Sequence, residues 1–312
     1  MPDVLEDWFA EVKRPMPWRR HPTPYLCWLS EIMMQQTTYG TVLPYYRRFL
    51  KRFPTVAALA KADEGDVLKA WEGLGYYARA RNLLAAARQI VKSGRAIWPK
   101  TATEWAKIPG VGPYTAAALA SVLSGERVPV VDGNVARVFA RFWRLTDDFT
   151  KQPARAKLAE RLLPEIARSR VPGDFNQAMM ELGALVCTPA NPACAKCPLA
   201  ARCAARKDGS WADYPVKPAK KRLPVRTVSA AIVTDAKGRV LLVQNREGGL
   251  LKGLWELPSV SKGVGLTQVF SHFKLELSTV RSDRADAEFR DPKRVPLTTA
   301  TRKALVASGI MV

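Results

Sequence analysis

An all-α domain followed by a small α+β domain is the architecture this sequence predicts, and three observations carry that prediction. Between residues 26 and 205, apolar positions recur at helical spacing, with Pro and Gly at the joints. Residues 207–226 are polar, rich in Lys and Pro, and without hydrophobic period, as expected of a linker between separately packed domains. Beyond residue 226 the period becomes that of strands. At 312 residues and 47% apolar composition, the chain can bury a sizeable core, and its length suits two domains.

The spacing predicts helices over 42–53, 78–92, 114–123, 133–143, 154–168 and 175–186, with no β-like alternation between them. After the linker, β-branched runs at 227–234 and 239–245 flank Asp235-Ala236-Lys237-Gly238, a hairpin signal. Strands are further expected over 254–257 and 268–277, and a closing helix over 299–307. The predicted domains are therefore 1–206 and 227–312, joined by 207–226. No internal repeat or low-complexity tract interrupts them.

Charge and cysteine content narrow the functional classes. A net charge of +21 concentrates polyanions and makes nucleic acid the natural partner, although a solubility charge is an alternative that charge alone leaves open. No run of eighteen apolar residues occurs, and the first residues lack the basic-then-apolar order of a secretory signal. The expected compartment is the cytosol, with no membrane partner. Five cysteines in such a chain argue against a disulfide framework.

Four of the five stand as C-x6-C-x2-C-x5-C at Cys187, Cys194, Cys197 and Cys203, in a loop stiffened by Pro189, Pro192 and Pro198. Four thiolates on one short loop can wrap a [4Fe-4S] cluster or a zinc ion, and ligand count leaves both open. Zinc ribbons favour two C-x2-C knuckles, and only one is present. The fifth thiol, Cys27 beside Trp28, reads as core.

Three further segments carry candidate chemistry. Ile108-Pro109-Gly110-Val111-Gly112-Pro113-Tyr114 places two glycines before a helix start, where backbone N–H groups attract a phosphate; an ordinary helix-breaking turn is the alternative. Asp132, in Val131-Asp132-Gly133-Asn134, opens a helix and reads equally as an N-cap. Glu31 sits on an otherwise apolar helix face, where burial raises a carboxyl pKa and suits it to give a proton near neutral pH.

The cysteine spacing, the Gly110–Gly112 hairpin and Asp132, in that combination, resemble the endonuclease III superfamily of helix-hairpin-helix DNA glycosylases. Ser30-Glu31-Ile32-Met33-Met34-Gln35-Gln36-Thr37, with Trp71-Glu72-Gly73-Leu74-Gly75-Tyr76-Tyr77, resembles its adenine DNA glycosylase branch, and the likeness spans nearly the whole chain. The resemblance implies a [4Fe-4S] cluster on the four cysteines, shaping a loop that points Lys196 and Arg202 at the DNA backbone. It implies Asp132 as the catalytic carboxylate beside the sugar, Glu31 as the acid that protonates N7 of adenine, and Asn134 and Tyr114 as orienting groups. Tyr114 stands where bifunctional members carry a Schiff-base lysine, so base release without strand cleavage is expected. Trp18, Arg19 and Gln177 would line the adenine pocket, although some relatives carry Glu at the position of Gln177. Gln36 and Tyr76 would wedge into the base stack, and Gly110 and Gly112 would meet phosphate.

The segment 227–258, with Gly249-Leu250-Leu251-Lys252-Gly253-Leu254-Trp255-Glu256-Leu257-Pro258, resembles the Nudix-like domain that adenine glycosylases append. Residues 259–265 contain no acid, so the magnesium of a Nudix hydrolase has no ligands there. Phe270-Ser271-His272 matches the loop that recognises 8-oxoguanine, with Leu74, Gln36 and Thr37 approaching the same base from the helical domain. The implied partner is double-stranded DNA carrying adenine opposite 8-oxoguanine or guanine, met by a monomer in the cytoplasm or, in a bacterium, at the nucleoid. Two rival functions remain: an endonuclease III-like glycosylase and lyase for oxidised pyrimidines, which Tyr114 disfavours, and a cluster-bearing DNA-binding protein without catalysis, which Glu31 and Asp132 disfavour.

Overall fold

The computed structural model describes residues 1–92, 94–216, 225–246, 249–260, 264–269, 274–282 and 288–312. The chain opens with seven helices: α1 (Pro2–Val12), α2 (Pro17–Arg20), α3 (Pro24–Met34), α4 (Tyr39–Arg52), α5 (Val56–Ala60), α6 (Glu64–Trp71) and α7 (Ala78–Ile90). A two-residue ribbon follows, β1 (Val91–Lys92) antiparallel to β2 (Arg95–Ala96), and corrects the expectation of an uninterrupted helical region. Its turn uses Gly94 at φ +75°, a conformation that glycine adopts without steric cost. The helical part resumes with α8 (Ala102–Trp105), α9 (Pro113–Ser124), α10 (Gly133–Trp143), α11 (Gln152–Ala167), α12 (Pro172–Leu185) and α13 (Ala204–Lys207).

These residues divide between two compact units. The first comprises residues 1–32 and 97–220, the second 33–96 and 221–312. In the first, α10 and α1 both pack on α12, burying Leu5, Phe9, Val135, Phe139, Leu162, Phe175 and Leu182 in one core. Gly183 permits the closest approach: a Cβ there would lie 2.6 Å from the Cβ of Asn134. Trp28 of α3 meets Trp98 edge-on at 5.9 Å, and Trp98 meets Trp105 at 6.0 Å, so the helix bearing Glu31 is anchored by its apolar side.

The second unit contains a four-stranded sheet in the order β7-β3-β9-β8, from β3 (Val225–Val233), β7 (Ser259–Val260), β8 (Val264–Val269) and β9 (Lys274–Ser282). β3 and β9 run parallel, with Val225 opposite Lys274; β7 and β8 pair antiparallel with β3 and β9 respectively. Two small ribbons pair β4 (Val240–Leu241) with β10 (Phe289–Arg290) and β5 (Val243–Gln244) with β6 (Trp255–Glu256). The expected strand at 268–277 is thus replaced by β8 and β9. The closing helix α14 (Thr299–Ala307) is capped by Thr298 and buries Ala300, Ala304 and Leu305 against Ile232, Val240 and Trp255. No helix among the described residues is long and apolar enough to cross a membrane.

Candidate active site and cysteine loop

Glu31 comes from the third turn of α3, Tyr114 from the first turn of α9, and Asp132 caps α10. All three belong to the first unit. Burial, with the charge of Asp132, pushes the Glu31 carboxyl up to about 7 against the opposing effects of a hydrogen bond with Tyr114 and the charge of Arg19. Burial, with the charges of Glu31 and Asp132, holds the Tyr114 phenol well above its ordinary value, so it stays neutral. The Tyr114 hydroxyl also lies 3.2 Å from the Met180 sulfur, an acceptor for its proton. The phenol has one proton, and given to the Glu31 carboxylate rather than to Met180 it favours the ionised form, whereas burial, the larger effect, favours the acid.

Asp132 caps α10 and also lies within electrostatic reach of Glu31. One oxygen accepts from the Val135 N–H at 2.7 Å and the other from Asn134 Nδ2 at 2.8 Å. Burial raises its pKa, and these hydrogen bonds and Arg137 pull it back. The chain of contacts continues: Arg137 donates to Asn134 Oδ1 and to the Gly183 carbonyl, each at 2.8 Å, and its Nε donates to the Cys187 carbonyl at 2.8 Å. One face of α10 thereby ties Asp132 to the start of the cysteine loop.

Arg19 stands within electrostatic reach of Glu31 and is bonded to Gln177. Trp18 is buried, and Arg19 Nε donates to Gln177 Oε1 at 2.8 Å while its guanidinium lies 5.2 Å from the Phe9 ring. Glu181, 1% exposed, holds Arg14 through both carboxylate oxygens at 2.7 and 2.8 Å and accepts from Arg19 at 3.3 Å. This buried carboxylate is fully paired, and the guanidiniums hold it below the usual carboxylate range despite burial. Cys27 is core, its thiol pushed up to about 12 by burial and the Glu31 charge.

In the hairpin before α9, only Gly110 requires glycine on backbone grounds, at φ +78°. Gly112 caps α9 in an extended conformation, and a Cβ added there would meet nothing within 4 Å. Its small size serves no internal contact, which leaves room for an external group at the helix start.

The four cysteines line a single cavity walled by Val138, Phe142, Leu182, Val186 and Leu199. Burial, and then the neighbouring thiols, push Cys197 up to about 11 and raise Cys203. Arg141 secures the loop by donating to the Thr188 and Pro189 carbonyls at 2.7 and 3.1 Å and to the Cys187 sulfur at 3.4 Å. Among the described residues, no three Cys, His, Asp or Glu side chains converge as ligands of a single ion do. Four thiols on one apolar-walled cavity are a donor set that suits an iron-sulfur cluster or zinc.

Comparison with known proteins fits this geometry. The model of the HhH-GPD superfamily of base excision DNA repair proteins matches residues 29–164, a span that holds Glu31, Tyr114 and Asp132. The adenine DNA glycosylase of Arabidopsis thaliana is 37% identical over 82% of this chain and 46% of that protein. That of Buchnera aphidicola subsp. Schizaphis graminum is 35% identical over 82% of this chain and 73% of that protein. The chain belongs to the adenine DNA glycosylase family. It spans about half the length of the plant and human family members it matches. A solved thermostable thymine-DNA glycosylase shares the helical glycosylase fold, at a TM-score of 0.59 and 25% identity over 66% of this chain and 94% of its own.

For this family member, the structure gathers Glu31, Asp132, Tyr114, Asn134, Trp18, Arg19 and Gln177 in the first unit. Gln36, Thr37, Leu74 and Tyr76 lie in the second, on loops at the ends of α3 and α6. Phe270, Ser271 and His272 lie outside the described residues. Sequence reading missed Arg14, Glu181, Met180, Arg137 and Arg141. For Glu181, Arg137 and Arg141 the advance signal was spacing: Gln177 and Glu181 share a helix face, as do Asn134, Arg137 and Arg141.

Proposed function

We propose that this chain is a monofunctional glycosylase of base excision repair, which extrudes adenine paired with 8-oxoguanine or guanine and hydrolyses its N-glycosidic bond. The observation that carries the reading is a carboxyl held near pKa 7 by burial, bonded to a neutral phenol and standing within electrostatic reach of a second carboxyl. Such a pair divides acid and charge-stabilising work as glycoside-cleaving enzymes do.

Adenine must leave the duplex before protein acids can reach it, at a cost of about a few kcal/mol. Trp18, Arg19 and Gln177 then receive the base, with Arg19 fixing the Gln177 amide through its oxygen. Protonated Glu31 gives its proton to N7. The bond between C1′ and N9 breaks with its electron pair leaving on adenine, and Asp132 stabilises the positive sugar. Water adds to C1′ and the resulting carboxylate of Glu31 takes up its proton. Asn134 orients Asp132, and Tyr114 orients Glu31. Tyr114 offers no amine, so no Schiff base forms and the strand stays intact.

The apolar-walled thiol cavity fits a [4Fe-4S] cluster held by Cys187, Cys194, Cys197 and Cys203, which would supply structure to the loop rather than bond-breaking chemistry. The parent protein should therefore purify brown, whereas Cys197→Ser should purify pale and be cut faster by protease within 187–203. A colourless parent would remove the cluster. Residues 1–206 serve as the glycosylase domain and 227–312 as a Nudix-like domain that reads 8-oxoguanine through Ser271 and His272. The protein works as a monomer on double-stranded DNA.

A single-turnover assay tests the reading, with duplexes carrying adenine opposite 8-oxoguanine, adenine opposite guanine, and thymine glycol. Adenine loss that shows as a nick only after alkali is the expected result. A nick without alkali, or preference for thymine glycol, overturns it.

A further inference from the structure

Among the described residues, Gln36, Tyr76, Arg144 and Asn191 adopt a backbone conformation that side-chain-bearing residues avoid, and the first two share one neighbour. Gln36 has φ +56° and Tyr76 has φ +50°, both left-handed. Tyr76 is 40% exposed and Gln36 is exposed, so neither is bent this way to fill a core. They lie forty positions apart, one at the end of α3 and the other between α6 and α7, and both belong to the second unit. Such strain persists only where the surroundings over-determine it.

The surroundings here centre on Arg79, on the first turn of α7 and 8% exposed. One terminal nitrogen donates to the carbonyls of Met33 at 2.8 Å, in the last turn of α3, and of Gln35 at 2.6 Å, in the Gln36 loop. The other donates to Thr37 Oγ1 at 3.3 Å in that loop, and to the carbonyls of Leu74 at 3.2 Å and Gly75 at 3.1 Å in the Tyr76 loop. Its guanidinium also lies 5.3 Å from the Trp71 ring and 5.5 Å from the Tyr76 ring. Trp71 Nε1 completes the arrangement by donating to the Gly75 carbonyl at 3.0 Å. Burial pulls the Arg79 pKa down to about 10, which still leaves it cationic at neutral pH.

A planar guanidinium presents five donors in a fixed fork, so one side chain can hold two strands of backbone at a set separation. A lysine ammonium at the same place keeps the charge but offers three donors from one point. We propose that Arg79 is the positioning residue that fixes the spacing and backbone conformation of the Gln36 and Tyr76 loops, and thereby governs how fast the duplex is opened. The proposal rests on the reading of Gln36 and Tyr76 as wedges that enter the base stack. It treats opening and bond cleavage as separate steps, because the contacts of Arg79 described above run to these two loops, to the end of α3 and to Trp71.

The test uses the full chain and a duplex with 2-aminopurine at the adenine position opposite guanine, its fluorescence rise reporting extrusion. Arg79→Lys should slow extrusion per active molecule by about tenfold or more, a size typical of small misplacements. The pH at which adenine excision turns down should stay near that of the parent. A merely structural role would instead lower the active fraction and the unfolding temperature, with normal extrusion in the molecules that remain. If Arg79→Lys does not fold, the comparison moves to a Gln36→Gly background, where the backbone strain is relieved. There, adding Arg79→Lys should still slow extrusion by about fivefold or more. A smaller loss in the background used overturns the proposal. Tyr76→Ala separates the two ideas. If it extrudes at the parental rate, the wedge reading fails; if it is slow beside a normal Arg79→Lys, the positioning role alone fails.

Discussion

Glu31→Gln is expected to slow adenine release by about two to four powers of ten and, above pH 7, to make the protein more stable. Both effects follow from the same burial. Glutamine keeps the shape of the protonated carboxyl, so DNA binding should be near parental, but it has no proton to give to N7. The rate of the parent should fall about tenfold per pH unit above about 7, as Glu31 ionises. The variant's residual rate should lack that limb.

The stability effect has a definite sign. Unfolding returns Glu31 to an ordinary carboxyl at 4.5, whereas the folded protein holds it at about 7. The folded state therefore binds more protons between those values, and the parent loses stability as pH rises through that window. The loss reaches about 3 kcal/mol at most once pH exceeds the folded value. Glu31→Gln escapes it. Denaturant unfolding should show the two proteins differing little near pH 4 and the variant more stable by about 2–3 kcal/mol at pH 8. Equal stability at pH 8 would mean that the carboxyl is solvated, and its assignment as the proton donor would fall with it.

Where the sequence was readable, the readable feature was local. Thr299–Ala307 forms over the residues expected because Thr298 caps it and its apolar face recurs at helical spacing. Gly133–Trp143 likewise follows from its period and its Asp cap. The expected strand 268–277 failed because nothing between Val269 and Lys274 signals a break: Phe270-Ser271-His272-Phe273 contains no Gly, Pro, Asn or Asp. The helix Pro2–Val12 went unread although Pro2 starts it and Leu5 and Phe9 share its buried face. For the site, residue types and motif order pointed to Glu31 and Asp132, and the structure shows the cap at Asp132 together with a charge that reaches Glu31. The carboxylate that accepts from Val135 N–H also raises the pKa of Glu31. Glu181 and Arg137 were out of reach for a different reason. Each is an ordinary charged residue on a helix until folding brings Arg14 and Arg19 to one and Cys187 to the other.

Asp132→Asn should cost about two to three powers of ten in single-turnover excision, because a neutral amide cannot stabilise the positive sugar. A second consequence is particular to this site. The Asp132 charge raises the pKa of Glu31, so its removal should move the falling limb of the pH profile to lower pH. The helix itself should survive, since Asn caps as well as Asp. Its amide oxygen must then serve Val135 N–H, which turns its NH2 group toward the NH2 of Asn134. Two donors cannot pair, so the Asn134 amide has to rotate, and Arg137 loses the oxygen it now bonds at 2.8 Å. Asp132→Asn should thus loosen the contact between α10 and Cys187, seen as faster protease cutting in the loop of the resting protein. Asp132→Asn/Asn134→Asp restores an acceptor facing the new amide and Arg137 together. It should recover protection of the loop without recovering excision, because the restored charge sits two residues from where the sugar is stabilised. A pH profile unmoved by Asp132→Asn would show that the two carboxyls do not share one site.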